Sequence, residues 1–283
     1  MKILTRKKLK IIGAITLVLL GILTIYLPNI GAALILHPIR RPVSAAPPAG
    51  CHEVTFQGEG VILRGWQGHA DGPPKATLIY LHGVSDNRAS ASAVLDHFRR
   101  RGFDVVAYDS RAHGESGGES ATYGHLEKED LRHVLDTLRP GPIILVGSSL
   151  GAAVALQTGA VDPRITAVAA AESFSDLRTV VTERAPFFFT AGAIEKSIRL
   201  AEQKGNFQID TISPAAAARQ IKVPVLLIHG AADKDTPPEH SQRILDALQG
   251  PKRLILVPGA GHNESLSGSA WQDIETWIDE VIH

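Results

Sequence analysis

Cysteine occurs once in the 283 residues, at position 51, which excludes an internal disulfide and any zinc or iron–sulfur centre built from several thiolates. Twelve histidines are present, but there is no His-Glu-x-x-His and no other tight cluster of histidine with carboxylate, so the pattern of a metallohydrolase is missing. Gly-x-x-x-x-Gly-Lys-[Ser/Thr] is missing too, and Gly58, Gly60 and Gly65 do not form a phosphate loop. Acidic residues are absent before position 42, although Lys2, Arg6, Lys7, Lys8, Lys10, Arg40 and Arg41 all fall there. The formal charge of zero therefore hides an asymmetry: the remainder carries 22 basic against 29 acidic side chains. Such a body offers no basic face for phosphate contacts, which argues against a nucleic-acid partner. Hydrophobic residues make up 44% and charged residues 20%, which excludes wholesale disorder and fits one sizeable globular domain. No internal repeat is evident.

The amino-terminal region has instead a long uncharged run. No charged residue appears from Ile11 to Tyr26, and the apolar stretch resumes past Leu27-Pro28-Asn29 to reach Leu36. About 20 apolar residues at ~1.5 Å rise each cross a bilayer core, and no polar stripe at helical period is visible. The run reads as a transmembrane signal anchor over 11–36, after a basic cytoplasmic tail over 1–10. Five Lys/Arg precede the span and two follow it, an excess that leaves the amino terminus in the cytoplasm and the following domain outside it. A cleaved signal peptide is the rival reading, but its apolar region is normally about 7–15 residues with a small-residue site close behind. Residues 37–51 are proline- and alanine-rich without periodicity and read as a linker that ends in an unpaired Cys51 thiol.

From residue 52 to the carboxyl end, strand and helix signals alternate. Two short strands over 52–57 and 61–66, with a turn at Gly58-Glu59-Gly60, suggest an antiparallel start. Apolar runs of strand length follow at 76–81, 104–108, 143–146, 165–170, 223–228 and 254–257, mostly continuous, as in strands buried on both faces of a parallel sheet. Helical patterns lie at 92–100, 126–138, 150–159, 239–248 and 270–281. The alternation predicts an α/β fold with a mostly parallel sheet. About fifty residues separate the strands ending near Ala170 and starting near Val223, far more than most crossings need. This stretch, about 172–221, reads as a short helical cap insertion, with Phe187-Phe188-Phe189 facing either an acyl pocket, lipid or its own domain. Arg99-Arg100-Arg101 reads as a helix end facing solvent.

Gly147-Ser148-Ser149-Leu150-Gly151 follows the apolar strand at 143–146 and opens a helix. Gly-x-Ser-x-Gly between strand and helix makes a tight turn that lifts the serine into a strained, exposed position, and the register selects Ser149, not Ser148, as nucleophile. A nucleophilic serine needs a base, and the base an orienting carboxylate, in the chain order Ser, Asp/Glu, His. Asp233 lies in the loop after the strand at 223–228, and His262 follows the next strand; each sits at a strand carboxyl end, where open α/β sheets build their sites. Asp235 and, more distantly, Glu264 compete for the acid role. Two backbone N–H groups would form the oxyanion hole: Leu150, after the nucleophile, and Val84, in the loop after Leu78-Ile-Tyr-Leu-His82-Gly83. His82 is read as structural.

With Gly60-Val-Ile-Leu-Arg-Gly65-Trp66, Tyr108-Asp109-Ser110-Arg111-Ala112-His113-Gly114-Glu115-Ser116, His229-Gly230-Ala-Ala-Asp233 and Gly261-His262, these stretches resemble the α/β-hydrolase superfamily, from about Glu53 to the carboxyl end. The Asp-x-Arg-x-His-Gly-x-Ser stretch is similar to a loop of serine-aminopeptidase-like and lysophospholipase-like serine hydrolases, and the single span to bacterial members of that kind. The resemblance implies a Ser149–Asp233–His262 catalytic triad, no metal, no organic cofactor, and structural roles for Asp109 and His113. The activity expected is hydrolysis of a carboxylic ester, small or lipid-like, by a membrane-anchored serine esterase. The alternatives are an aminopeptidase-like serine peptidase, with Glu172 or Glu183 holding the substrate amine, and a non-catalytic binding protein on the same scaffold.

Overall fold

The computed structural model describes residues 6–266 and 269–282. Eight strands form one sheet in the order β1-β2-β4-β3-β5-β6-β7-β8: β1 (Cys51–Gln57), β2 (Ile62–Gly68), β3 (Thr77–Leu81), β4 (Asp104–Tyr108), β5 (Ile143–Ser148), β6 (Ile165–Ala171), β7 (Val225–Gly230) and β8 (Lys252–Val257). The first two strands pair antiparallel with each other, and β2 pairs antiparallel with β4; every pairing beyond is parallel. Each strand predicted from the sequence is present within two residues at either end. In β3 and β4 every side chain is buried, as their continuous apolar runs required, because helices cover both faces. One face of the sheet packs Ile79, Val106, Leu145 and Leu227, and the other packs Leu78, Val105, Ile144 and Leu226.

The flanking helices are α2 (Ser92–Arg100), α3 (Glu127–Asp136), α4 (Leu150–Gly159), α7 (Pro214–Ala218), α8 (Glu239–Ala247) and α9 (Ser269–Val281). Between β6 and α7 the chain forms α5 (Leu177–Glu183) and α6 (Ala191–Gly205), capped by the side chains of Asp176 and Thr190. Their core is separate from the sheet's and contains Phe174, Leu177, Val180, Ile198 and Ala201.

An amino-terminal helix, α1 (Arg6–Leu36), contributes to that third core. Residues 1–5 of the expected basic tail lie outside the described residues, as do the α1 side chains at 9, 11, 16–20 and 22–24. Among the described residues no helix is long and apolar enough to cross a membrane. The end of α1 corrects the even apolar span read over 11–36: Leu27, Pro28, Gly31, Ala32, Ile35 and Leu36 are buried against the domain, whereas Ile30 and Leu34 are exposed. A stripe at helical spacing exists, but it separates apolar from apolar and so left no trace in the hydropathy. The contact is close, since a Cβ on Gly31 would stand 2.2 Å from Ser197 Oγ of α6. Backbone and side-chain bonds fix the exit of α1: Ala121 N–H donates to Leu36 O at 2.8 Å, and Tyr123 Oη to Ile35 O at 2.9 Å.

Two smaller readings also change. Cys51 opens β1, paired with Gly68, and does not end a linker. The arginine run is largely tied down: Arg99 binds Ala49 O and Asp71, and Arg101 pairs with Glu275 and Asp279.

Candidate active site

Parallel register brings the carboxyl ends of β3, β5, β6, β7 and β8 to one edge. Leu81 pairs with Gly147, so the loop that follows β3 leaves the sheet beside the turn that ends β5. At that turn Ser149 has φ 49° and ψ −109°, a conformation that an L-residue adopts only under constraint. The constraint is visible. Ser149 N–H donates to Ala171 O at 2.8 Å, and α4 begins at the next residue. Both flanking glycines are required: a Cβ on Gly147 would lie 2.4 Å from the Gly151 carbonyl, and one on Gly151 would lie 2.1 Å from Leu81 O.

Ser149 Oγ and His262 Nε2 are 3.1 Å apart, and His262 Nδ1 is 2.7 Å from Asp233 Oδ2. The three side chains, more than eighty residues apart at their ends, form one hydrogen-bonded line. Asp235 and Glu264 are elsewhere: Asp235 gives its backbone N–H to Asp233 Oδ1 at 2.9 Å, and the Glu264 carboxylate accepts the Gly261 N–H at 2.7 Å. Burial alone would raise the Asp233 carboxyl, but hydrogen bonds from His229, His262 and the Thr236 N–H outweigh it and hold the carboxyl well below the usual range. The loop carrying Val84 rests on the serine, because a Cβ on Gly83 would stand 3.5 Å from Ser149 Cβ. Leu150, the first residue of α4, contributes a backbone N–H from the helix turn whose donors lack intrahelical partners.

Residues 78–275 match the model of an alpha/beta hydrolase family. The chain belongs to that family. It is similar to the uncharacterized protein YqkD of Bacillus subtilis (29% identical over 207 residues) and spans 66% of its own length and 64% of that relative's. It is also similar to the monoglyceride lipase of Rattus norvegicus, at 22% identity over 280 residues, covering 82% of this chain and 90% of that one. Among solved structures the Pyrococcus furiosus esterase Pf2001 shares the fold, with a TM-score of 0.67 and 23% identity over 87% of this chain and 96% of that one.

Two residues that hold the hydrolase's site have other roles than the sequence suggests, which offers Glu172 as an amine-binding acid and His229 only as part of a shared stretch. Glu172 begins the segment after β6 with φ 55° and is buried; its carboxylate accepts the N–H of Asn263 at 2.6 Å and of Ser265 at 2.9 Å. It thus clamps the chain just after His262 and lies 4.0 Å from His262 Nδ1. His229, at the end of β7, places Nε2 2.7 Å from Thr236 O and 3.3 Å from Asp233 Oδ2, and its Nδ1 2.6 Å from Ser241 Oγ. Glu183, the other candidate for binding a substrate amine, is 2.7 Å from His240 Nε2, while Ser175 N–H donates to His240 Nδ1 at 2.9 Å. Glu172 is buried, whereas Glu183 is exposed with its carboxylate on His240.

His82 and the Asp109–Ser116 stretch shape the floor. Ser110 N–H donates to His82 Nε2 at 2.9 Å, so the proton of this neutral ring sits on Nδ1 and bonds Gly83 O at 2.7 Å. Burial lowers the His82 pKa. Asp109 accepts the backbone N–H of Arg88 at 2.7 Å and of Glu115 at 2.8 Å, as well as the Arg88 guanidinium. Gly114 has φ 44°, and a Cβ there would strike the Asp109 carboxylate at 2.2 Å. Arg111 pairs with buried Asp130 at 2.7 Å. Burial, with His82 alongside, lowers His113 to about 4.

Next to the oxyanion loop lies a cavity of about 320 Å³, within the usual ~300–1,000 Å³ for small-molecule sites. Val84 and Ser85 form one wall; Leu34, Ile35 and Ile39 come from the end of α1 and the segment after it; Leu177, Val180 and Phe189 come from the cap. Phe189 therefore faces a pocket, whereas Phe187 is fully exposed and Phe188 half-exposed. Arg184, directly after α5, reaches from the cap to within 3.1 Å of His262 Nε2. Among the described residues no group of His, Cys, Asp and Glu is arranged to hold a metal ion.

Proposed function

We propose that this hydrolase is a serine esterase that cleaves a carboxylic ester with an apolar acyl part through an acyl-enzyme. The observation that carries it is the line from Ser149 Oγ to His262 to Asp233 at 3.1 and 2.7 Å. In this reading Ser149 Oγ attacks the acyl carbon while His262 Nε2 takes its proton. Asp233, kept ionised by its donors, holds Nδ1–H and stabilises the imidazolium as it forms. The Val84 and Leu150 N–H groups bind the oxyanion; loss of one such donor typically costs ~10²–10³ in rate. His262 then gives the proton to the leaving alcohol oxygen. Water, deprotonated by the same nitrogen, attacks the acyl carbon, the bond to Ser149 Oγ breaks, and Oγ recovers its proton.

The apolar cavity beside Val84 supports an ester with a hydrocarbon acyl chain, and the names of the lipase and esterase relatives agree with ester chemistry. A peptidase that grips a free amine is disfavoured, since Glu172 is buried on two backbone N–H groups and the Glu183 carboxylate is engaged with His240. A binding protein without chemistry does not need the strained Ser149 or the aligned imidazole. The same reading keeps an uncleaved signal anchor in the uncharged run before the buried end of α1, with the amino terminus cytoplasmic and the catalytic domain extracytoplasmic. Its supports are the uncharged run, the basic residues before it, and the exposed Phe187 and Phe188. The full chain in detergent, given parallel panels of acyl esters and aminoacyl amides, is expected to release acid from esters at rates at least tenfold above amides. Preference for the amides would replace this function with peptide hydrolysis.

A further inference from the structure

Arg184 is a cation without an acidic partner among the described residues. Its Nε donates to Asp235 O at 2.7 Å, while its Nη2 bonds Thr236 Oγ1 and approaches His262 Nε2 to 3.1 Å. These partners are a carbonyl, a hydroxyl and an imidazole nitrogen; among the described residues no carboxylate pairs with it. On α5, the short helix just before it, Arg178 is neutralised by Glu195 at 2.8 Å and by Asp210. Arg184 is also the only Lys, Arg, Asp or Glu among the residues lining the apolar cavity.

The contact with His262 has a consequence for the base. With Nδ1–H held by Asp233, Nε2 offers a single lone pair, and both Ser149 Oγ and Arg184 Nη2 lie 3.1 Å from it. A guanidinium N–H on that lone pair competes with the serine O–H. Nε2 is also the atom that returns the proton to the leaving alcohol, so Arg184 neighbours the alcohol side of a bound ester. The segment that bears it is anchored just before: Glu183 is tied to His240 of α8.

We propose that Arg184 is a specificity-determining residue that selects acyl esters whose alcohol part carries an anionic group, a phosphate or carboxylate a few atoms from the scissile oxygen. The anion takes the fork of the guanidinium, draws it off the imidazole, and leaves the lone pair to Ser149. Neutral esters leave the contact in place and react with the base partly engaged. The cavity accepts the acyl chain while the only unpaired charge at its edge accepts the anion, so the preferred substrate is an acylated alcohol phosphate or acylated hydroxy acid. This rests on the serine-esterase reading above.

The test measures kcat/KM of the full chain in detergent on hexanoyl esters of one chain length. One arm uses hexanoylglycerol against hexanoylglycerol 3-phosphate; the other uses the hexanoyl esters of a simple alcohol and of the corresponding hydroxy acid. Wild type is expected to favour the anionic ester about tenfold or more in at least one arm, which identifies phosphate or carboxylate as the source of charge. Arg184→Gln should lower the anionic ester's kcat/KM by about 10- to 100-fold, the range for losing a charge-assisted hydrogen bond, and raise the neutral ester's. Arg184→Lys, which keeps charge without the planar fork, should retain part of the preference. An equal fall on both esters in Arg184→Gln, or an unaltered ratio, overturns the proposal. A fluorophosphonate probe is run beside each variant. Unlabelled, folded wild type would sink the esterase reading itself, whereas normal labelling with an unaltered ratio would sink the role of Arg184 alone.

Discussion

Substituting Glu172 by Gln changes one heavy atom of a buried side chain and should disable the hydrolase from behind. Both carboxylate oxygens are committed, one to the Asn263 N–H at 2.6 Å and one to the Ser265 N–H at 2.9 Å. A glutamine of the same shape offers one oxygen and one NH₂. One bond survives without its charge, and the other N–H then faces a donor. Losing a charge-assisted bond costs about 1.5–3 kcal/mol, and leaving a buried donor unmet about 1–3 kcal/mol more. A destabilisation of about 2.5–6 kcal/mol follows, a large share of the ~5–15 kcal/mol that holds a typical domain together. The loop released carries His262, and a misplacement of about 1 Å at a catalytic group costs on the order of 100-fold in rate. Urea unfolding of the full chain in detergent gives the first number, and kcat/KM on a butyryl ester gives the second. The expected result is a midpoint lowered by that amount with an unchanged slope, and a rate loss carried by kcat more than by KM. Stability and kcat/KM both within about twofold of wild type would show that Glu172 does not hold the loop, and would refute the reasoning.

Further outcomes are expected. Gly151→Ala should not accumulate as folded protein, because the new Cβ would stand 2.1 Å from Leu81 O on the neighbouring strand; a normal thermal transition would contradict this. Asp233→Asn should lower kcat on the ester by about 10³–10⁴ near neutral pH, through loss of the tautomer that points the Nε2 lone pair at Ser149. Because the folded carboxyl is held below its unfolded value of 3.8, the stability Asp233 contributes is present above about pH 4 and fades as pH falls through the lower folded value. Its replacement by Asn should therefore flatten the acid limb of the stability profile below pH 4. His113 acts in the same direction at higher pH: the unfolded ring takes up its proton near 6.5 and the folded ring only at about 4. Stability should fall by about 3 kcal/mol between those values as pH drops, and His113→Gln should remove that slope in urea titrations.

The sheet was legible because its inner strands are short apolar runs with no competing helical period, and because β5 and β7 announce their ends with Gly147 and Gly230. Ser149 was legible from its glycines, whose steric reason is now explicit: strand and helix backbones approach too closely for any side chain. The choice of Asp233 over Asp235 was not fixed by spacing; two backbone N–H groups turn one oxygen of Asp233 inward and leave the other for His262. Arg184 gave no signal, Glu172 suggested an amine-binding acid instead of a loop clamp, and His229 stood out only as part of a motif. Their roles depend on loops from distant parts of the chain, and an isolated acid, histidine or arginine has no local pattern that reports such contacts. The end of α1 was misread because burial there exchanges bilayer-like residues for protein contact without changing hydropathy.

The central claim is tested most directly by intact-mass analysis of the full chain after treatment with a fluorophosphonate, followed by mapping of the modified peptide. The account requires one adduct per chain, located on Ser149 and not on Ser148, and absent from folded Ser149→Ala. A folded wild-type chain that stays unmodified, or an adduct carried by another residue and retained in Ser149→Ala, would contradict it.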